Sequence, residues 1–205
     1  MHPFAYHRPK TIAAAAKTLA EATEGKFRAG GQSLIPALKQ RLARYSDLVD
    51  LGSIEELAGI RADGGAVTIG AMTRHADVAA SPLLRAKLPG LAHLAGRIGD
   101  AQVRNLGTLG GSLAHNDPVA DYPAACLALK ATIVTDRREI AADAYFKGLF
   151  ETSLDPGELI LRVRFPLAEK SAYAKFPNPA SRYAMVGVFV ARGGETRVAA
   201  TGAYQ

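Results

Sequence analysis

Two glycine pairs carry the residue types best suited to holding a ligand: Ala29-Gly30-Gly31-Gln32-Ser33 and Thr108-Leu109-Gly110-Gly111-Ser112. Each follows an apolar stretch and ends in a serine. Glycine has no Cβ, so its backbone reaches positive φ and its N–H groups approach an anion closely. Two turns of one form predict a pair of backbone cradles closing on one phosphate-bearing ligand, and a diphosphate has two phosphoryl groups to hold. The first turn is not a Walker A loop, because no Gly-Lys-Ser/Thr follows, nor is it a GxGxxG fingerprint. Taken alone, it reads equally well as an ordinary turn from strand to helix.

The second stretch, from Arg104 to Asp121, is richer in polar groups. Thr108 and Ser112 offer hydroxyls and Asn116 an amide, while Asp117 and Asp121 offer carboxylates suited to ribose or ribityl hydroxyls. Asp117 stands before Pro118, where capping a helix is the commoner role. Asp121 is placed one turn inside that helix, where an acid suits the dipole. His115 has no second His or Cys at ligand spacing, so no metal site is assigned. The chain shows no Ser-His-Asp arrangement, no GxSxG elbow and no paired-carboxylate spacing. No catalytic residue is assigned, and any chemistry belongs to a bound cofactor.

The elements that must position these groups follow from patterning. Alanine-rich residues 11–22 predict a helix capped by Thr11. A strand over 26–29 runs into the first glycine pair, and a helix over 34–42 leaves it, with Ser33 near its N-cap and Pro36 in its first turn. Free N–H groups and a positive dipole end converge there. Strands are expected at 47–51 and 66–72. Thr73 is expected to cap a helix from Arg74, and Ser81-Pro82 to start the next. Helix is expected again over 91–98, after Pro89-Gly90, and over 120–129. Its glycines predict that 103–118 is largely loop. Strands follow at 131–135, 159–165, 172–176, 183–191 and 197–203. In 159–165, Leu159, Leu161, Val163 and Phe165 alternate with Ile160, Arg162 and Arg164. The last strands have nothing after them to cover an apolar face, which suggests an incomplete final domain.

The 205 residues are 48% hydrophobic and 21% charged, enough for a core and for solubility. A formal charge of +6 suggests nucleic acid, but the basic residues form no block and there is no Trp for base stacking. Attraction to an anionic cofactor or an acidic partner accounts for the charge instead. The lone Cys126 excludes an internal disulfide, and a structural zinc or iron–sulfur site built within this chain. The start of the chain has no apolar signal core and no run is long enough to span a membrane, so the chain reads as cytoplasmic.

Phe27-Arg-Ala-Gly-Gly-Gln-Ser-Leu-Ile-Pro-Ala-Leu-Lys39, Leu48-Val-Asp-Leu51, Ile69-Gly-Ala-Met-Thr-Arg-His75 and Val103-Arg-Asn-Leu-Gly-Thr-Leu-Gly-Gly-Ser-Leu-Ala-His-Asn-Asp-Pro118 resemble one family. It is the FAD-binding medium subunit of the molybdenum hydroxylases, as in xanthine and carbon monoxide dehydrogenases. The resemblance implies an α+β fold of the vanillyl-alcohol-oxidase type. FAD-binding subdomains over 1–53 and 54–170 then precede a partial C-terminal domain over 171–205. It implies that Ala29, Gly30, Gly31, Gln32, Ser33 and Leu34 hold the FAD diphosphate together with Thr108, Gly110, Gly111 and Ser112. Asn116 and Asp121 match positions at the ribityl or ribose region. Tyr183 resembles an aromatic beside the isoalloxazine in some members, and reads equally as a core aromatic of a strand. Lys175 falls in a family segment without an assigned role. The implied partners are a molybdenum-cofactor large subunit and a small subunit with two [2Fe–2S] clusters, in a heterotrimer that dimerises. Electrons would leave FAD for a quinone, NAD or oxygen. The rivals are a self-contained FAD oxidoreductase of the same fold and a non-catalytic nucleotide-binding module.

Overall fold

The computed structural model describes residues 1–203. Tyr204 and Gln205, the end of the expected third domain, lie outside the described residues. The first unit sandwiches short helices between parallel strands: β1 (Ala5–His7), α1 (Ile12–Glu21), β2 (Gly25–Arg28), α2 (Leu34–Lys39) and β3 (Asp47–Asp50). Its sheet runs β1-β3-β2, with Ala5 and Gly25 both aligned on Asp47. The Thr11 hydroxyl accepts from the Ala14 N–H and starts α1, as its sequence position predicts.

The second unit begins with β4 (Ile60–Asp63) and β5 (Ala66–Gly70), then runs through a series of short helices. These are α3 (His75–Ala80), α4 (Pro82–Lys87), α5 (Pro89–Gly96), α6 (Ala101–Leu106), α7 (Leu109–His115) and α8 (Tyr122–Ala128). The chain continues as β6 (Thr132–Thr135), β7 (Glu139–Ala141), α9 (Ala142–Tyr145), the hairpin β8 (Phe146–Gly148) and β9 (Glu151–Thr152), and β10 (Ile160–Pro166). Five of these strands pair in the order β4-β5-β10-β6-β7. Ile69 of β5 and Val163 and Phe165 of β10 point from that sheet into the core and are wholly buried, and each stabilises by about 2 kcal/mol through its burial.

A third sheet, β11 (Lys170–Pro177), β12 (Ala184–Gly193) and β13 (Glu195–Thr201), is an antiparallel meander. It packs on α5 and α8, and Tyr173, Phe189 and Ala191 enter the same core as Tyr122 and Phe165. One face of the final strands is therefore covered from within the chain. The other leaves Phe176, Val186 and Val198 exposed.

β10 departs from the expected alternation. A bulge between Ile160 and Arg162 shifts its register. Ile160, Val163 and Phe165 face the large core, while Leu159 and Leu161 turn to the first unit's core beside Val49 and Leu51. Ile54 and Leu57 belong to that smaller cluster too, so the boundary expected after residue 53 passes through its packing.

The largest departure is the stretch 103–118, expected as loop. It forms the end of α6 and all of α7, because two side chains supply the missing caps. Asp100 Oδ1 accepts from the Val103 N–H at 2.8 Å, and Thr108 Oγ1 from the Gly111 N–H at 3.2 Å. Gly110 and Gly111 thus sit in the first turn of a helix, where lost entropy is offset by a cap. Thr73 does not cap α3 as expected; its hydroxyl bonds the Gly59 backbone, and Arg74 takes the N-cap position. Among the described residues, no helix is long and apolar enough to cross a membrane, and no cluster of His, Cys, Asp or Glu could hold a metal ion.

Candidate functional site

All three units meet around a cavity of about 440 Å³, within the size range of cofactor sites. Ala29 through Leu34 line it, and so do Thr108, Gly110, Gly111 and Ser112. Asp121 and Tyr183 also line it. Asn116 does not. Its amide Nδ2 donates to the Gly148 and Glu151 carbonyls at 3.0 and 2.7 Å, and its backbone ends α7 in the left-handed region at φ 45°. The amide expected at a ribityl chain is instead occupied in holding the β8–β9 hairpin.

The two glycine motifs come together, packed directly on each other, and they are not equivalent. A Cβ on Gly30 would run into the Leu106 carbonyl, and one on Gly111 would lie 3.3 Å from the Ala29 Cβ. Absent side chains let the α6–α7 turn rest directly on the first loop. In α7 the leading N–H groups are already occupied. Leu109 donates to Thr73, Gly110 to Ala71 and Ser112 to Thr108 through their carbonyls, and Gly111 to the Thr108 hydroxyl. The second pair therefore gives close packing and the Ser112 hydroxyl rather than a cradle of free donors. Gly110 is required by Ala71, whose Cβ would sit 2.5 Å from an added one.

The first loop is the open one. Among the described residues, the N–H groups of Gly30, Gly31, Gln32 and Ser33 donate no hydrogen bond. Gly31 adopts φ +71°, and the Gln32 amide folds back onto the Gly30 carbonyl at 3.3 Å. Ser33 stands at the N-cap position of α2 without a capping bond, so its hydroxyl is also uncommitted. Four successive undonated N–H groups beside a cavity form an anion-binding concavity.

Asp121 stands at the N-cap position of α8, not a turn inside it. It is 4% exposed, accepts from the Tyr173 hydroxyl and pairs with Lys175 Nζ at 3.0 Å. Burial pushes its carboxyl upward from the ordinary range, while Lys175 and Tyr173 oppose that shift. Lys175 also bonds the Arg97 carbonyl. The side chain without a sequence-assigned role is thus the counter-ion of the cavity's acid. Asp117 is no helix cap; its Oδ1 accepts from the Val119 N–H in a local turn. Tyr183 lines the cavity and is 47% exposed, on the loop that enters β12.

Sequence reasoning missed His75. It lines the cavity at the start of α3 and is 5% exposed, with Nδ1 lacking a partner among the described residues. Burial, aided by Arg104, lowers its pKa to about 4, so the ring is neutral at neutral pH. Its position at the start of the helix after the turn Ala71-Met72-Thr73 was the available signal. Lys26 and Tyr45 also line the cavity, with the ammonium 5.9 Å from the ring centroid.

The family model described as FAD binding domain in molybdopterin dehydrogenase matches residues 2–168. The chain belongs to this family. The cofactor of this family, FAD, fits the site: an open donor loop for a diphosphate, a cavity of cofactor size and paired polar groups beyond. The carbon monoxide dehydrogenase medium chain of Hydrogenophaga pseudoflava is 40% identical over 195 residues, 91% of this chain and 68% of that one. The glyceraldehyde dehydrogenase medium chain of Sulfolobus acidocaldarius is 36% identical, covering 93% of this chain and 71% of that one. Carbon monoxide dehydrogenase from Hydrogenophaga pseudoflava lacking the Mo-pyranopterin moiety matches in structure with a TM-score of 0.91 at 39% identity, over 98% of this chain and 76% of that one. Quinoline 2-oxidoreductase from Pseudomonas putida 86 matches with a TM-score of 0.92 at 32% identity, over 98% and 74%. The mixed α and β fold is shared with these enzymes.

Proposed function

We propose that this chain is the FAD-binding, electron-transferring medium chain of a molybdenum hydroxylase complex. The observation that carries the reading is the run of undonated N–H groups from Gly30 to Ser33 in a loop that lines the cavity beside α7. Bound FAD supplies a carrier that accepts electrons and releases them to a second acceptor. The chain's own residues bind and orient it. The Gly30–Ser33 N–H groups and the Ser33 and Ser112 hydroxyls would hold the diphosphate. Asp121, kept in place by Lys175 and Tyr173, would take ribose or ribityl hydroxyls, and Tyr183 would close the flavin end against water. In this reading the first two units are subdomains of the vanillyl-alcohol-oxidase type with the cofactor between them.

Substrate chemistry belongs to partner chains in this reading: a large chain with the molybdenum cofactor and a small chain with [2Fe–2S] clusters. The outside acceptor is of the quinone, NAD or oxygen class, and the complex is a dimer of heterotrimers in the cytoplasm. Support comes from the medium-chain relatives. The test has two arms. The purified chain binds FAD yet shows no substrate-dependent bleaching of the flavin band by itself. Co-expressed with its complex, it co-purifies with molybdenum and iron. Turnover by the chain alone would establish the rival, a self-contained oxidoreductase.

A further inference from the structure

Arg28 is the last residue of β2 and leads directly into the open loop. It lies outside the cavity lining. Its Nη1 donates to Asp50 Oδ2 at 2.8 Å. Asp50 is 3% exposed and fully engaged: its Oδ2 also accepts from the Tyr6 hydroxyl, and its Oδ1 from the Gly52 N–H at 2.9 Å. This fixes one edge of the guanidinium against the first unit's sheet. The remaining edge points at the loop. A Cβ on Gly31 would lie 3.2 Å from Arg28 Nε and 3.6 Å from Nη2. Among the described residues neither atom donates a hydrogen bond to the protein.

The ion pair is therefore oriented, with its positive end beneath the undonated N–H groups and its negative end buried behind. A guanidinium keeps its charge at every relevant pH and has a planar shape that packs flat under a backbone turn. Gly31, at φ +71°, leaves no side chain between the charge and the loop. The N–H groups at the start of α7, by contrast, are already occupied.

We infer that Arg28, braced by Asp50 and Tyr6, is a positioning residue that holds the Gly30–Ser33 loop and adds positive potential for a diphosphate. This rests on the FAD reading above. It acts through the loop, not by touching the cofactor. Its charge contribution is screened by salt, whereas a purely steric role is not.

The experiment measures FAD affinity of the flavin-depleted full chain by fluorescence, at about 0.05 M and about 0.5 M salt. Wild type, Arg28→Lys, Arg28→Met and Arg28→Gln are compared, with folding followed by circular dichroism. The two neutral variants are expected to bind FAD about tenfold more weakly at low salt, with a smaller deficit at high salt. Arg28→Lys is expected to recover much of the loss, because it restores the charge. Neutral variants that bind like wild type would overturn the inference. So would an equal loss at both salts without rescue by lysine, or failure of both neutral variants to fold. A wild-type chain that binds no FAD at either salt would instead overturn the cofactor reading itself.

Discussion

Asp121 and Lys175 form a buried ion pair, 3.0 Å apart, between the start of α8 and the third sheet. Their side chains are 4% and 1% exposed, and Tyr173 from the same strand completes the group. The pair fastens β11 to the helix beside the cavity, so cofactor site and third sheet share one polar anchor. Lys175→Met leaves a buried carboxylate without its cation, and is expected to destabilise by about 3 to 5 kcal/mol. Adding Asp121→Asn should recover much of that loss. A urea-unfolding double-mutant cycle measures the coupling, and additive effects would contradict it.

The glycines differ in what they tolerate. Gly30→Ala drives a Cβ into the Leu106 carbonyl, a backbone atom with little room to yield. It is expected to lower stability by about 1 to 3 kcal/mol and to weaken FAD retention. Gly111→Ala meets only the Thr108 hydroxyl at 2.9 Å and the Ala29 Cβ at 3.3 Å, so it is expected to be milder. Gly111→Val is expected to lose FAD with most of the fold retained. Thermal unfolding and flavin content of the purified variants rank them, and a Gly111→Val protein with full FAD would contradict the proposed approach of α7 to the loop.

His75 gives the fold an acid-sensitive point. Its folded pKa of about 4 lies below the ordinary 6.5, so between these values the unfolded chain binds a proton that the folded chain refuses. Stability contributed by the neutral ring is present above about pH 6.5 and is lost as pH falls towards 4, amounting to about 3 kcal/mol. His75→Gln removes this dependence. Melting curves across that range should converge for the two proteins as pH falls, and a constant gap would contradict the burial argument.

Much of the architecture was readable from pattern. Alanine richness with Thr11 as cap marked α1, and the glycine motifs in chain order marked the family. What escaped was set by contacts distant in sequence. The α7 helix was hidden because glycines read as loop, and only the Thr108 cap and its backbone bonds to Ala71 and Thr73 make it regular. The β10 bulge puts Ile160 on the face of Val163 and Phe165 and sends Leu159 and Leu161 to the other core, which strict alternation does not anticipate. Lys175 acquires a role only because β11 carries it to Asp121 at the start of α8, and Asn116 is drawn from the cavity by a hairpin more than 30 residues away.

That last contact separates a structural from a cofactor role. Asn116→Ala removes both bonds to the β8–β9 hairpin, at about 1 to 3 kcal/mol, and disfavours the left-handed backbone. Faster proteolysis near residues 146–152 with little change in FAD affinity is expected. A large fall in affinity with an unchanged cleavage rate would return Asn116 to the cofactor.

The position of the bound diphosphate is the most direct test of the open loop's role. A crystal structure of the FAD-loaded chain is predicted to show phosphate oxygens about 3 Å from the Gly30–Ser33 N–H groups, with α7 contributing through Ser112. A diphosphate bound away from that loop, with those four N–H groups facing only water, would contradict it.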